Sequence, residues 1–190
     1  MNVFLDCGGH FGEGLRSIIQ KHNMDKSWSI HTFEPNPAAL FVLEKTVKEL
    51  DLGIKLFRGA LLDMNGYCKF SIQLNSTGAG SVDCLMDKGV CADPNSESFR
   101  FHDTIVQVPC LDVSDVVRQF DANDTIVMKL DVEGSEFKIL RKLIKDGLIS
   151  RIRHLYIEWH DIYLSSESEQ SKNEIMDIIR SCGVHVEVWQ

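Results

Sequence analysis

Two clusters of polar residues in this chain are of types that could do chemistry, and each stands where an apolar run ends. The denser one is Lys129-Leu-Asp131-Val-Glu133-Gly134-Ser-Glu136, which follows Ile126-Val-Met128; Glu158-Trp-His160 follows Leu155-Tyr-Ile157. Carboxylates, a lysine and an imidazole are the equipment of proton transfer. An unperturbed carboxylate titrates near ~4 and is a weak base until burial or a like charge raises it, whereas histidine starts near ~6.5. Side chains alternate along a strand, so Lys129 and Asp131 share a face, as do Glu158 and His160. Lys129 is then placed to orient Asp131 or to stabilise a developing alkoxide. Asp131, Glu133 and Glu158 are also hard oxygen donors that could hold magnesium or manganese. General-base chemistry is the preferred reading, and a divalent metal is not expected. The plainer alternative is structural: a Lys129–Asp131 ion pair that fixes a strand, with Glu133 and Glu136 favouring the N-terminus of the next helix.

The second feature is a glycine loop at the start of the chain. Val3-Phe-Leu5 ends at Asp6, and Gly8, Gly9, Gly12 and Gly14 follow within seven residues. Glycine permits sharp turns and close approach of a ligand to the backbone. Asp6 supplies a carboxylate, and His10, inside the loop, is read as facing a ligand. A dinucleotide fingerprint fails at its third position, where Ser17 stands, and a phosphate loop would need a lysine that is absent. Glu34 lies 34 − 12 = 22 residues beyond Gly12, near the ~20 at which an acid meets a ribose hydroxyl pair in such folds.

The elements needed to position these residues can be read from periodicity. Strands are expected at Val3–Leu5, Ser29–Glu34, Ile54–Leu61, Thr104–Cys110, Asp124–Asp131, His154–His160 and Val184–Trp189. Helices are expected after the glycine loop (Leu15, Ile18, Ile19, His22 inward) and from Pro35-Asn36-Pro37 (Leu40, Leu43, Val47, Leu50). Further helices run from Asp112 to Phe120 and through Phe137, Leu140, Leu143 and Ile144. The last opens on a Ser166-x-x-Glu169 capping box, with Ile175, Ile178, Ile179 and Cys182 inward. Alternating strands and helices imply an α/β, doubly wound, mostly parallel sheet. The turn near Ala60 and Leu61 would then line a planar ring. Asn65-Gly66 predicts a hairpin between residues 60–62 and 67–73, which makes one edge antiparallel. Residues 74–103 read as an irregular insert or lid, with Phe99 and Phe101 alternating with Arg100 and His102. A single domain over residues 1–190 accounts for the whole chain.

Charge and composition narrow the partners. The net charge is −8, and no basic stripe is present, which argues against nucleic acid. The six cysteines show no Cys-x-x-Cys pair or zinc-type clustering, so a reducing, cytoplasmic setting is expected. Neither a signal peptide nor a membrane span is expected. The oligomeric state is left open. His22, His31, His154 and His185 read as ordinary structural or surface residues.

Asp6-x-Gly8-x-x-x-Gly12 resembles the first motif of S-adenosylmethionine-dependent methyltransferases. With His31-Thr-Phe-Glu34-Pro35-Asn36-Pro37, it is similar to the cofactor half of FkbM-type methyltransferases. Lys129-Leu-Asp131-Val-Glu133-Gly134-Ser-Glu136 followed by Ile157-Glu158-Trp-His160 resembles their second half. The resemblance spans residues 2 to 160 and implies a Rossmann-like, class I methyltransferase architecture. It implies S-adenosyl-L-methionine held by Asp6, Gly8, Gly9, His10, Gly12, Glu34, Pro35, Asn36, Ala60 and Leu61. It also implies O-methylation, commonly of sugar or polyketide hydroxyls, with a small-molecule or glycan acceptor. The chain departs from the family at His10, where asparagine is usual, and in having one final strand where two are usual. Two rival readings are a non-catalytic nucleotide-binding module of the same fold and a nucleic acid 2′-hydroxyl methyltransferase.

Overall fold

A computed structural model of the chain describes residues 1–73, 80–82, 102–160, 164 and 166–189. The first strand, β1 (Asn2–Cys7), shows how the fold is assembled. Its residues alternate between two apolar clusters: Val3, Leu5 and Cys7 belong to one, Phe4 to the other. A strand buried on both faces needs layers on both sides. Helices α1 (Glu13–Lys21) and α2 (Pro37–Leu50) cover Phe4 through Leu15, Ile18, Ile19 and Leu43. On the other face lie α3 (Val113–Arg118), α4 (Glu136–Lys145) and α5 (Glu169–Ser181), which contribute Val113, Val117, Phe137, Leu140 and Ile179.

Around β1 are β2 (Ser29–Phe33), β3 (Lys55–Phe57), β8 (Thr125–Leu130), β9 (Ile152–Ile157) and β10 (His185–Val188). The order is β10-β9-β8-β1-β2-β3, and every pairing is parallel. The chain therefore winds outward from β1 in one direction, then returns to β8 on its other side. The carboxyl ends of β1 and β8 flank this reversal, where open α/β sheets bind ligands.

The antiparallel part forms its own sheet, ordered β4-β7-β5-β6, from β4 (Ala60–Leu62), β5 (Gly66–Gln73), β6 (Gly80–Val82) and β7 (His102–Asp112). The expected strand Ile54–Leu61 is thus divided between the two sheets. No hairpin joins β4 to β5, because β7 lies between them, parallel to β4 and antiparallel to β5. The turn residue Asn65 is held elsewhere: its Nδ2 donates to Asp115 Oδ2 at 2.6 Å, and its Oδ1 accepts from Asp112 N at 2.9 Å. Most of the expected lid at 74–103, with Phe99, Arg100 and Phe101, lies outside the described residues.

Caps decide where the helices begin. Asn36 caps α2, accepting from Ala38 N, and Pro37 fills the first helical position, where no N–H is needed. Asp112 caps α3 in the same way through Ser114 N. At α5 the cap is Ser168, which accepts from Ser171 N, and not Ser166. The inward face of α5 is Ile175, Met176 and Ile179, while Ile178 is 42% exposed and Cys182 lies at the surface. Among the described residues, no helix is long and apolar enough to cross a membrane.

Candidate functional site

The two loops meet through a buried lysine. Asp6 and Lys129 are register partners on β1 and β8. Lys129 Nζ donates to Gly8 O and Asp131 Oδ2, each at 2.9 Å, and lies 3.7 Å from Asp6 Oδ1. Burial alone would lower the lysine's pKa, but Asp6 and Asp131 outweigh it and hold the value raised. Its side chain is 3% exposed, so it presents no ammonium to an alkoxide. It ties the first loop to the end of β8 and orients Asp131.

Asp6 is placed differently from the sequence expectation. It is wholly buried, and Oδ2 accepts from Thr32 Oγ1 at 2.6 Å. Burial raises its pKa against the lowering effect of Lys129. The carboxylate is therefore part of the internal bridge and does not reach an external ammonium.

The glycines pack chain against chain. At Gly8, where φ is +89°, a Cβ would sit 1.7 Å from Asp131 O. At Gly9 it would meet Thr32 Oγ1, and at Gly12 the methyl of Thr46. Gly8 and Gly9 both donate to Phe33 O, at 3.1 and 3.0 Å. This seats the loop across the end of β2.

Glu34 locks that arrangement. Its Oε2 accepts from His10 N at 2.7 Å and its Oε1 from Asn36 N at 2.6 Å. Each carboxylate oxygen carries two lone pairs, so one per oxygen is left after these bonds, in a residue that is 5% exposed. His10 itself is a non-glycine residue at φ 46°, with its side chain 43% exposed on the loop. Pro35 is half-buried and Asn36 is buried. Ala60 and Leu61 are 3% and 2% exposed inside two apolar clusters, so neither has a surface to offer a planar ring.

Beyond β8 and β9 the remaining polar groups converge on one imidazole. His160 is buried, with Nδ1 at 2.9 Å from Glu136 Oε1. Its Nε2 is 3.3 Å from Glu133 Oε2 and 3.8 Å from Glu158 Oε1. Glu136, fully buried, also accepts from Val132 N and Gly134 N. It fixes both the loop and the ring. Glu133 sits at φ 54° beside Gly134 at φ 105°, and such backbone costs about 1–3 kcal/mol where a non-glycine residue adopts it. The loop holds Glu133 toward His160 despite that cost. Ligand atoms of Asp131, Glu133 and His160 lie within 4.8 Å of one another. The third member of that group is His160, in place of the expected Glu158.

Comparison with known proteins decides the family. The family model for the methyltransferase FkbM domain matches residues 6–186. The chain belongs to the FkbM methyltransferase family. The fold of this FkbM domain is similar to the crystal structure of methyltransferase FkbM from Methylobacillus flagellatus KT, with a TM-score of 0.51 and 16% sequence identity. The similarity covers 94% of this chain and 38% of the other, so this chain spans well under half the length of that protein. No curated protein matches significantly.

Electrostatics divide the roles within the FkbM domain. Burial pushes Glu133 up to about 7, against the opposing pull of His160. Burial likewise raises Glu34 to about 7. His160 rises to about 9: burial works against the charge, but Glu136, Glu133 and Asp131 outweigh it. At neutral pH the imidazole thus carries its proton and is not a free base. The expectation that histidine would need the least tuning is reversed by its three acidic neighbours.

A pH dependence of stability follows. His160 has a raised folded-state pKa, so its contribution is complete below about 6.5 and is lost as pH rises through about 9. The thermal unfolding midpoint of the FkbM domain is expected to fall between pH 7 and 9, and His160→Gln to flatten that slope. An unchanged slope in the variant would refute the assignment.

Glu136 holds the His160 ring, a contact that the sequence does not announce. Its position in Glu-Gly-Ser-Glu suggested only a favourable charge at a helix start, yet it orients the ring of His160.

Proposed function

We propose that the chain is an S-adenosyl-L-methionine-dependent O-methyltransferase acting on a sugar hydroxyl of a glycan. The observation that carries this reading is the Lys129 bridge, which holds the glycine loop and the carboxylate–imidazole cluster together at one end of the sheet. The donor set fits the cofactor: Glu34 keeps a lone pair on each oxygen for two ribose hydroxyls, and His10 stands half-exposed on the loop beside it. When bound, the cofactor supplies a methyl group on a sulfonium and leaves as a neutral thioether.

The chain's own residues do the rest. Asp131, Glu133 and Glu158, partly exposed, accept hydrogen bonds from a polyol. Glu133, with a pKa near the working pH, takes the proton of the attacking hydroxyl. The protonated His160, held by Glu136, stabilises the Glu133 carboxylate before that transfer. Positioning of the two reactants supplies much of the remaining barrier reduction. The acidic balance of −8 weighs against an RNA acceptor. The buried cysteines Cys7, Cys68 and Cys110 suit the cytoplasm.

Calorimetry with S-adenosylhomocysteine tests the donor, and labelled donor with an oligosaccharide panel tests the acceptor. Binding with transfer to a saccharide is expected; absence of heat with folded protein removes the enzyme reading. Glu34→Ala deletes two charge-assisted hydrogen bonds and is expected to weaken donor binding at least ~tenfold. Asp131→Ala should weaken it far less. Equal losses would overturn the division between donor and acceptor sides.

A further inference from the structure

At the opposite end of the sheet, three side chains outside the methyltransferase site converge on one face. His154 near the start of β9 and His185 at the start of β10 are register partners across a parallel pair. Adjacent strands lie about 4.8 Å apart, so partners in register project side by side from the same face. Glu187, two residues further along β10, projects from that face too. The imidazoles meet edge to face with centroids 4.4 Å apart.

We propose that His154, His185 and Glu187 form a transition-metal site, of the imidazole–carboxylate type that binds zinc. Ligand atoms of all three lie within 4.8 Å of one another. Glu187 Oε1 is 2.9 Å from His154 Nε2 and 3.5 Å from His185 Nε2. A tetrahedral zinc with bonds of about 2.0–2.1 Å sets its ligands about 3.3–3.4 Å apart, a spacing that the two observed distances bracket. His154 Nε2 is buried and has no aligned hydrogen-bond partner despite its short distance to the carboxylate. A metal ion between them would engage this nitrogen and the carboxylate oxygen together.

The surroundings are those of a supported site. The second oxygen of Glu187, Oε2, takes a hydrogen bond from Lys21 Nζ on α1, and ligating carboxylates are held by such outer partners. His154 stacks on Tyr156 with centroids 4.3 Å apart, and Tyr156 OH is in turn 2.8 Å from His22 Nε2. His185 is largely exposed, which leaves the fourth position to water. Such a metal would clamp the last strand, β10, to β9 and stabilise the fold by binding only the folded chain.

The test is calorimetric titration of the full chain with zinc, together with its thermal midpoint and the visible spectrum of the cobalt form. One equivalent of zinc should bind and raise the midpoint, and cobalt should give tetrahedral d–d bands. Loss of an outer partner alone costs about 10–100-fold in affinity, so His185→Ala, a surface change, should weaken zinc binding at least that much. His154→Ala should do the same, with circular dichroism confirming that it folds. The proposal is overturned if zinc does not bind, if His185→Ala leaves affinity unchanged, or if Asp131→Asn removes binding instead.

Discussion

Glu133→Gln is expected to lower kcat by about two to four orders of magnitude, the usual worth of a general base, while donor affinity stays unchanged. Glutamine keeps the size of the side chain and can still face His160 Nε2, 3.3 Å away in the parent, but it cannot accept the hydroxyl proton. The choice of Glu133 over its neighbours rests on their environments. Lys129 is enclosed by Gly8 O, Asp131 and Asp6, and Glu136 is fully buried. His160 is held protonated to about pH 9 by the acids around it. Glu133, raised by burial to about 7, is half-charged near neutrality and keeps 36% of its side chain exposed. The pH–rate profile of the parent should therefore rise through about 7, a limb that the variant lacks. Because Glu133 and His160 titrate together, that limb reports the pair. A variant with full kcat, or one that loses donor affinity in step with kcat, would place the base elsewhere.

Gly8→Ala is expected to be the most destabilising single methyl addition in the first loop. The new Cβ would lie 1.7 Å from Asp131 O and 2.9 Å from Asp131 C, both backbone atoms, at φ +89°. No side chain can swing aside, so the ends of β1 and β8 must part. That separation stretches the Lys129 contacts to Gly8 O and Asp131 and leaves the buried Asp6 carboxylate less compensated. Left-handed backbone strain and overpacking each cost about 1–3 kcal/mol. Together they predict about 2–6 kcal/mol, a large part of the ~5–15 kcal/mol that holds a domain folded. Urea unfolding measures it directly. A change within about 0.5 kcal/mol, the level of a surface substitution, would mean that the two loops do not touch as described.

The parts of the fold legible in the sequence were those governed by local pattern. Val3-Phe4-Leu5 reads as a strand buried on both faces because each neighbour is apolar, and Asn36-Pro37 announces a helix start because capping is local. The structure departs from local pattern where a residue's fate depends on what is brought to it. Asp6 at a strand end could face solvent or the interior; only the pairing of β1 with β8 sets Lys129 beside it. Asn65-Gly66 has the composition of a tight hairpin, but Asp112 N and Asp115 take up the asparagine side chain and β7 enters between the strands. The Ser166-x-x-Glu169 pattern predicts a cap at Ser166, but Ser168 caps the helix, and packing against the sheet turns Met176 inward and leaves Ile178 exposed. Glu136 and His160 are 24 residues apart and meet only because β8 and β9 are neighbours.

The same limit explains the glycine loop. Its composition suggests clearance for a ligand, yet at Gly8, Gly9 and Gly12 the space is filled by Asp131 O, Thr32 and Thr46. The glycines let three segments close on one another, and that closure brings Glu34 to its two backbone donors, His10 N and Asn36 N.

A crystal structure of the protein with S-adenosylhomocysteine tests the shared end of the sheet most directly. The ribose hydroxyls should lie on Glu34, with the thioether sulfur over the Gly8–Asp131 contact and turned toward Glu133. Ligand bound at the amino-terminal ends of the strands, or with its sulfur facing away from Glu133, would contradict the account.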